Sequence, residues 1–251
     1  MKNILKAVLI CSIIFSACTK ENQSVTADRT AQGTNGSLTR FAIKDNFMYA
    51  LDVNYMKVFD ISTGSDPILV NSVKINYGLE TITIYGEYVY IGAHDRIYMV
   101  GINDPSQPLE YDEMQHNISC DPVVVQGNYA YSTQNSFEVG CGHATSQSIL
   151  AVYNISNPQQ TNLLKSITMT SPYGLAVEGK NLYVCDSEEG VIVYNISNPE
   201  SPQALSTIPV ANSRDIILNF PYMIISTQTS FEMYNYQDVN NIYHVSTFQL
   251  K

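Results

Sequence analysis

The stretch Gly190 to Pro199, Gly-Val-Ile-Val-Tyr-Asn-Ile-Ser-Asn-Pro, recurs along the chain and limits what it can fold into. It reads as a short apolar strand closed by an Asx/Ser-Pro turn, where Asn and Ser bond nearby backbone and proline ends the strand. Other copies are Met56 to Ser62, Ile97 to Pro105 and Leu150 to Pro158, with a degenerate copy at Phe231 to Tyr236. The equivalent residues Ile61, Ile102, Ile155, Ile196 and Tyr236 stand 41, 53, 41 and 40 residues apart. A period near 40 marks a repeat architecture.

Each unit carries the same sub-pattern. An alternating run such as Thr81-Ile82-Thr83-Ile84 or Leu175-Ala176-Val177 leads into a turn. The turns are Asp45-Asn46, Tyr85-Gly86-Glu87, Gln126-Gly127-Asn128, Glu178-Gly179-Lys180-Asn181 and Asn219-Phe220-Pro221. Gly and Asn there suit the positive φ of a tight hairpin. A second strand follows, as in Tyr88-Val89-Tyr90-Ile91, then the marker strand, then a fourth such as Gln203 to Ile208. No segment past the N-terminal leader keeps a helical period. Four strands per 40 residues predict an all-β fold, a β-propeller of five blades of four antiparallel strands closing into a small ring. The predicted blades are 38–76, 77–116, 117–170, 171–211 and 212–251.

An apolar strand ending in Asp/Asn-Ile-Ser-Asp/Asn-Pro, with at most one extra residue after the Ser, resembles the LVIVD-repeat family of bacterial cell-surface proteins. The best matches are Val191 to Pro199 and Leu150 to Pro158; the first unit keeps Val58-Phe59-Asp60-Ile61-Ser62, and the fifth is the weakest. The resemblance implies a surface propeller and no particular reaction. The chain has no Trp, which disfavours a WD-repeat reading.

Residues 1–17 read as an export signal, with Lys2 and Lys6 before the apolar run Ala7 to Phe15. Phe15-Ser16-Ala17-Cys18 resembles a bacterial lipobox, which implies lipidation of Cys18. Lys20-Glu21 is similar to the surface-export signal of Bacteroidetes lipoproteins. Residues 18–37 are polar and read as the lipidated cysteine and a flexible tether, followed by the propeller domain, 38–251. The expected location is the cell envelope, anchored to the outer membrane. The whole chain carries a net charge of −10, and losing the signal's two lysines makes it more acidic. That balance argues against nucleic acid and fits a protein or glycan partner beside the lipid-held membrane contact.

In a propeller, the loops entering the first strands and those joining strands two and three open on one face. Stepping by the period places Arg40, Glu80, Asp121, Tyr173 and Arg214 around the channel mouth there. Such a ring would bind a polar ligand; paired among themselves, the same charges would plug the channel. The third unit breaks the period with a loop about 12 residues longer, Thr133 to Ser148. It carries Phe137, Glu138 and His143 as candidate specificity residues. Cys120 and Cys141 fall on the same face and are expected to form a disulfide pinning this loop. Cys185 reads as a small buried apolar residue.

The only pairing suited to nucleophilic catalysis is Cys141 with His143, oriented by Asp121. It would make the chain a hydrolase or lyase, but a disulfide at Cys141 excludes it. No metal or cofactor motif is present, and the loop acids lack calcium-loop spacing. The favoured expectation is a ligand-binding or protein-interaction module. A scaffold or accessory subunit of an outer-membrane complex is the alternative.

Overall fold

The structure is a computed structural model that describes residues 36–94, 96–115, 122–136 and 147–250. Cys18, Cys120, Asp121, Phe137, Glu138, Cys141 and His143 lie outside the described residues, as does the expected disulfide. The described residues form five sheets of four antiparallel strands and no α-helix.

Each sheet takes its strands in chain order. The first comprises β1 (Phe41–Lys44), β2 (Phe47–Asp52), β3 (Tyr55–Asp60) and β4 (Ile68–Lys74). The second comprises β5 (Leu79–Tyr85), β6 (Tyr88–Ala93), β7 (Arg96–Gly101) and β8 (Leu109–Gln115). The third comprises β9 (Val123–Gln126), β10 (Tyr129–Gln134), β11 (Ile149–Asn154) and β12 (Asn162–Thr168). The fourth comprises β13 (Pro172–Glu178), β14 (Asn181–Asp186), β15 (Gly190–Asn195) and β16 (Gln203–Ile208). The fifth comprises β17 (Asp215–Asn219), β18 (Tyr222–Ser226), β19 (Ser230–Asn235) and β20 (Tyr243–Gln249).

Local chemistry explains the repetition. The first hairpin of every sheet turns on two residues, and its first position has positive φ at Asp45, Gly86, Gly127 and Gly179. In the marker motif the first Asx accepts the N–H two residues on. Asp60, Asn154, Asn195 and Asn235 do so at 2.8–3.0 Å. The later Asx repeats the device at Asp104, Asn157, Asn198 and Asp238. The residue between them ties the two ends of the blade together. The N–H groups of Ile61, Ile102, Ile155, Ile196 and Tyr236 donate to the carbonyls of Asn46, Glu87, Asn128, Lys180 and Pro221 at 2.8–2.9 Å. These five acceptors are the second residues of the first hairpins. A register shift interrupts every pairing of strands three and four just before this tie, which is how one extra residue turns an edge strand.

Strands β1, β5, β9, β13 and β17 lie innermost and side by side. The core is four sheet-on-sheet layers: first on second, second on third, third on fourth and fourth on fifth. Among the described residues no such layer joins the fifth sheet to the first. The five blades therefore form an open arc, where the sequence predicted a closed ring. The middle blades are buried on both faces, so their inner strands read as continuous apolar runs.

Gly190 opens the fourth marker strand with φ +104°. A Cβ there would strike the Ile208 carbonyl oxygen and approach the Val210 nitrogen to 3.0 Å. Gly190→Ala is expected to cost more than about 2 kcal/mol, because left-handed backbone strain adds to that clash. Asn195→Ala, which removes one local hydrogen bond, is expected to cost about 1 kcal/mol. Thermal denaturation of the two variants checks both values and their order.

Candidate functional site

The N-terminal residues leading into β1 fill the middle of the arc. Ser37 donates its hydroxyl to Asp215 Oδ1 at 2.9 Å and accepts the Leu175 N–H at 2.9 Å. The Leu38 N–H donates to Asp215 Oδ2 at 3.3 Å. The Thr39 carbonyl accepts the Ile82 N–H at 2.9 Å. Three consecutive residues thus bond the inner strands of blades five, four and two, across the place where a channel would run. Gly36 and Ser37 are buried, although the sequence placed them at the end of a polar tether. Space is tight: a Cβ on Gly36 or Gly174 would collide with the Asp215 carboxylate.

Asp215 is the residue at this centre that the sequence reading passed over, one position beyond Arg214. Burial pushes its carboxyl above the ordinary aspartate value, against hydrogen bonds from Ser37, Ile216 and Leu38 that pull it down. Behind it lies Cys185, free and fully buried. Burial, and then the nearby Asp215 charge, raise its thiol well above the ordinary value. Cys185 is thus a packed side chain rather than a nucleophile.

Of the candidate ring residues, Tyr173, Arg214 and Glu80 make local side-chain contacts. The Arg214 guanidinium lies 3.9 Å from the Tyr173 ring centroid, a stacked cation–π contact across the junction of blades four and five. Glu80 Oε1 lies 3.4 Å from His94 Nδ1, and that nitrogen is also 3.1 Å from the Gly78 carbonyl. Arg40 is exposed, and its carbonyl accepts the Leu51 N–H at 2.9 Å. Among the loop acids, Asp186 is fully buried and organises its own turn. It accepts the N–H groups of Thr170, Ser171, Glu188 and Glu189 at 2.9–3.2 Å.

The same face carries a polar groove of about 440 Å³ between blades four and five, lined by Asn212, Thr227, Ser230, Glu232, His244 and Gln249 among others. Glu232 is its hub. Its carboxylate accepts hydrogen bonds from Ser230 (2.6 Å) and Thr247, and His244 Nε2 lies 3.1 Å away. Ser230 in turn meets Thr227 at 2.9 Å. Burial raises the Glu232 carboxyl, but the bonds from Ser230, Thr247 and His244 outweigh it and hold the group below the ordinary glutamate value. The sequence does hold the signal for this groove. Glu232 occupies the marker-strand position filled by Tyr98, Ala151 and Ile192 in the preceding three units.

Asp215→Ala strands the Ser37 hydroxyl and the Leu38 N–H, at an expected cost of about 1–3 kcal/mol. Limited proteolysis should then cut ahead of β1 faster than in the wild type while the blades stay protected. Because the folded carboxyl titrates above its unfolded value of 3.8, its contribution is fully present below that value. It is lost as pH rises through the folded value. Asp215→Asn removes this dependence, which denaturant melts across the acid range will read.

The family model for the LVIVD repeat matches residues 35–75, 80–114 and 173–208, which fall in blades one, two and four. Leu150 to Pro158 in blade three, one of the two best sequence matches to the motif, lies outside those spans, as does blade five. None of the curated proteins matches the chain. Among solved structures, it resembles a functionally unknown protein from Desulfotomaculum acetoxidans, with TM-score 0.67 and 9% identity over 87% of this chain and 70% of that one. It resembles the periplasmic gluconolactonase of Pseudomonas aeruginosa with TM-score 0.62 and 8% identity, over 82% of this chain and 68% of that one. The computationally designed protein Ika8 gives TM-score 0.60 and 13% identity, over 83% of this chain and 60% of that one. The chain thus spans 60 to 70% of the length of these three structures. The chain is thus a β-propeller of five four-stranded sheets that carries LVIVD repeats in three of them.

Proposed function

We propose that the chain is an exported, lipid-anchored binding module of the cell envelope, and that it takes a polar ligand, a glycan or a polar protein segment, in the groove between blades four and five. The groove carries this reading. Residues 37–39 bond the inner strands of blades two, four and five, so this part of the centre is already engaged by the chain itself. The groove beside it presents a carboxylate, an imidazole and several hydroxyls already fixed in place. Preorganised donors and acceptors suit a hydroxyl-rich ligand, because little ordering remains to be done on binding. Arg214, stacked on Tyr173, stands at the same blade junction and extends the polar surface. Anchoring rests on the signal and lipobox residues ending at Cys18.

Two measurements test the proposal. Cys18→Ala should abolish incorporation of labelled palmitate and release the chain from the membrane fraction; retained label would overturn the anchor. Pull-down of the intact chain from its own membranes, with glycans and proteins both identified, should recover a partner. Glu232→Gln should lower that recovery about tenfold, as loss of a charged hydrogen-bond acceptor implies. Recovery unchanged by Glu232→Gln would move the site away from the groove.

A further inference from the structure

The arc ends on two apolar faces that the rest of the fold treats as core. Each sheet has a leading face, toward the preceding blade, and a trailing face, toward the next. On the leading face of blade one, Phe41 is 52% exposed, whereas its counterpart Ile82 on blade two is fully buried. Ile43 and its counterpart Ile84 differ in the same way. On the trailing face of blade five, Phe248 is 66% exposed, whereas its counterpart Ile208 on blade four is 4% exposed. Phe248 pairs directly with Phe231, also exposed, whose counterpart Val191 is buried. Ile217 lies exposed on the same face. Large apolar side chains clustered on an open sheet face mark an interaction surface rather than ordinary solvent contact.

We infer that a second copy of this chain covers these faces, the trailing face of blade five in one copy packing on the leading face of blade one in the other. The argument is continuity with an interface the chain already makes four times, always trailing face on leading face. The two uncovered faces are the unused halves of that same contact, so the surface complementary to either one is carried by the chain itself. A side chain at Gly36 would touch Ile217 (3.5 Å to Cγ1), so the entering segment already stands beside β17 at the inner edge of the opening. The segment before Gly36 is a poor cover, because Val25 is the only large apolar residue between 19 and 35. The contact is heterologous, joining two different surfaces, and it propagates or closes into a larger ring according to the angle between copies. This inference does not depend on the groove.

The heterologous form has a distinctive test, run by sedimentation velocity on the full-length chain in detergent. The wild type should associate with rising concentration. Ile43→Asp spoils the leading face and Phe248→Asp the trailing face, and each alone should weaken association about tenfold or more by placing a charge in an apolar contact. Mixed in equal amounts, the two variants retain one intact contact between them, and a 1:1 heterodimer should form that grows no further. Far-UV circular dichroism and the thermal midpoint should be unchanged, since both sites are solvent-facing within one copy. If Ile43→Asp fails to fold, Phe41→Asp spoils the same face. A wild type that stays monomeric at every concentration overturns the inference. So does association that neither variant weakens, and so does a mixture that stays monomeric.

Discussion

The bond from the marker residue to the first hairpin is the constraint on which each blade depends. At Ile196 it runs 2.8 Å to the Lys180 carbonyl, and the other four blades repeat it with Ile61, Ile102, Ile155 and Tyr236. It joins the turn after strand three to the turn after strand one, so the inner and outer halves of the sheet cannot slide in register. Register matters because a one-residue slip would turn every core side chain to the wrong face. With both faces of a middle blade buried, such a slip would damage two core layers at once. The two Asx devices flanking the marker fix the backbone that presents its N–H, which is the physical content of the Asn-Ile-Ser-Asn-Pro signature.

Most of this was legible because the signature is local. A strand, a turn with positive φ and a capped exit each leave their mark within a few neighbouring residues, and Gly86, Gly127 and Gly179 all sit where the hairpin needs them. Blade number followed from counting. Closure of the ring did not, because the angle between blades accumulates over the whole chain and no single residue records it. The site shows the same division. Tyr173 and Arg214 were placed on one face by the period, yet their mutual stacking and the inward turn of Asp215 depend on strand alternation at a junction between repeats. Glu232 was readable in principle, as an acid where the three preceding units carry Tyr98, Ala151 and Ile192, but only once the units are laid over one another position by position.

The open arc and the filled centre belong together. Residues 37–39 bond three inner strands, and so supply in the middle of the molecule some of the cohesion that a closed ring would draw from a fifth blade-to-blade layer. The two carboxylates near the junction of blades four and five are then set apart by their surroundings. Asp215, desolvated beneath the entering segment, is shifted toward its neutral form, whereas Glu232, held by hydroxyls and an imidazole, is shifted toward its charged form. One is an internal strut and the other faces a ligand-sized space.

The entry of the chain through its own centre has a mechanical consequence. Tension applied through the residues before Gly36 is delivered first to Asp215, Leu175 and Ile82, on three separate blades, and only afterwards to the rim strands. A domain held by an outer strand can be unzipped one ladder bond at a time. This one would instead load several hydrogen bonds on three blades at once, so a pull on the chain at Gly36 is shared across much of the arc.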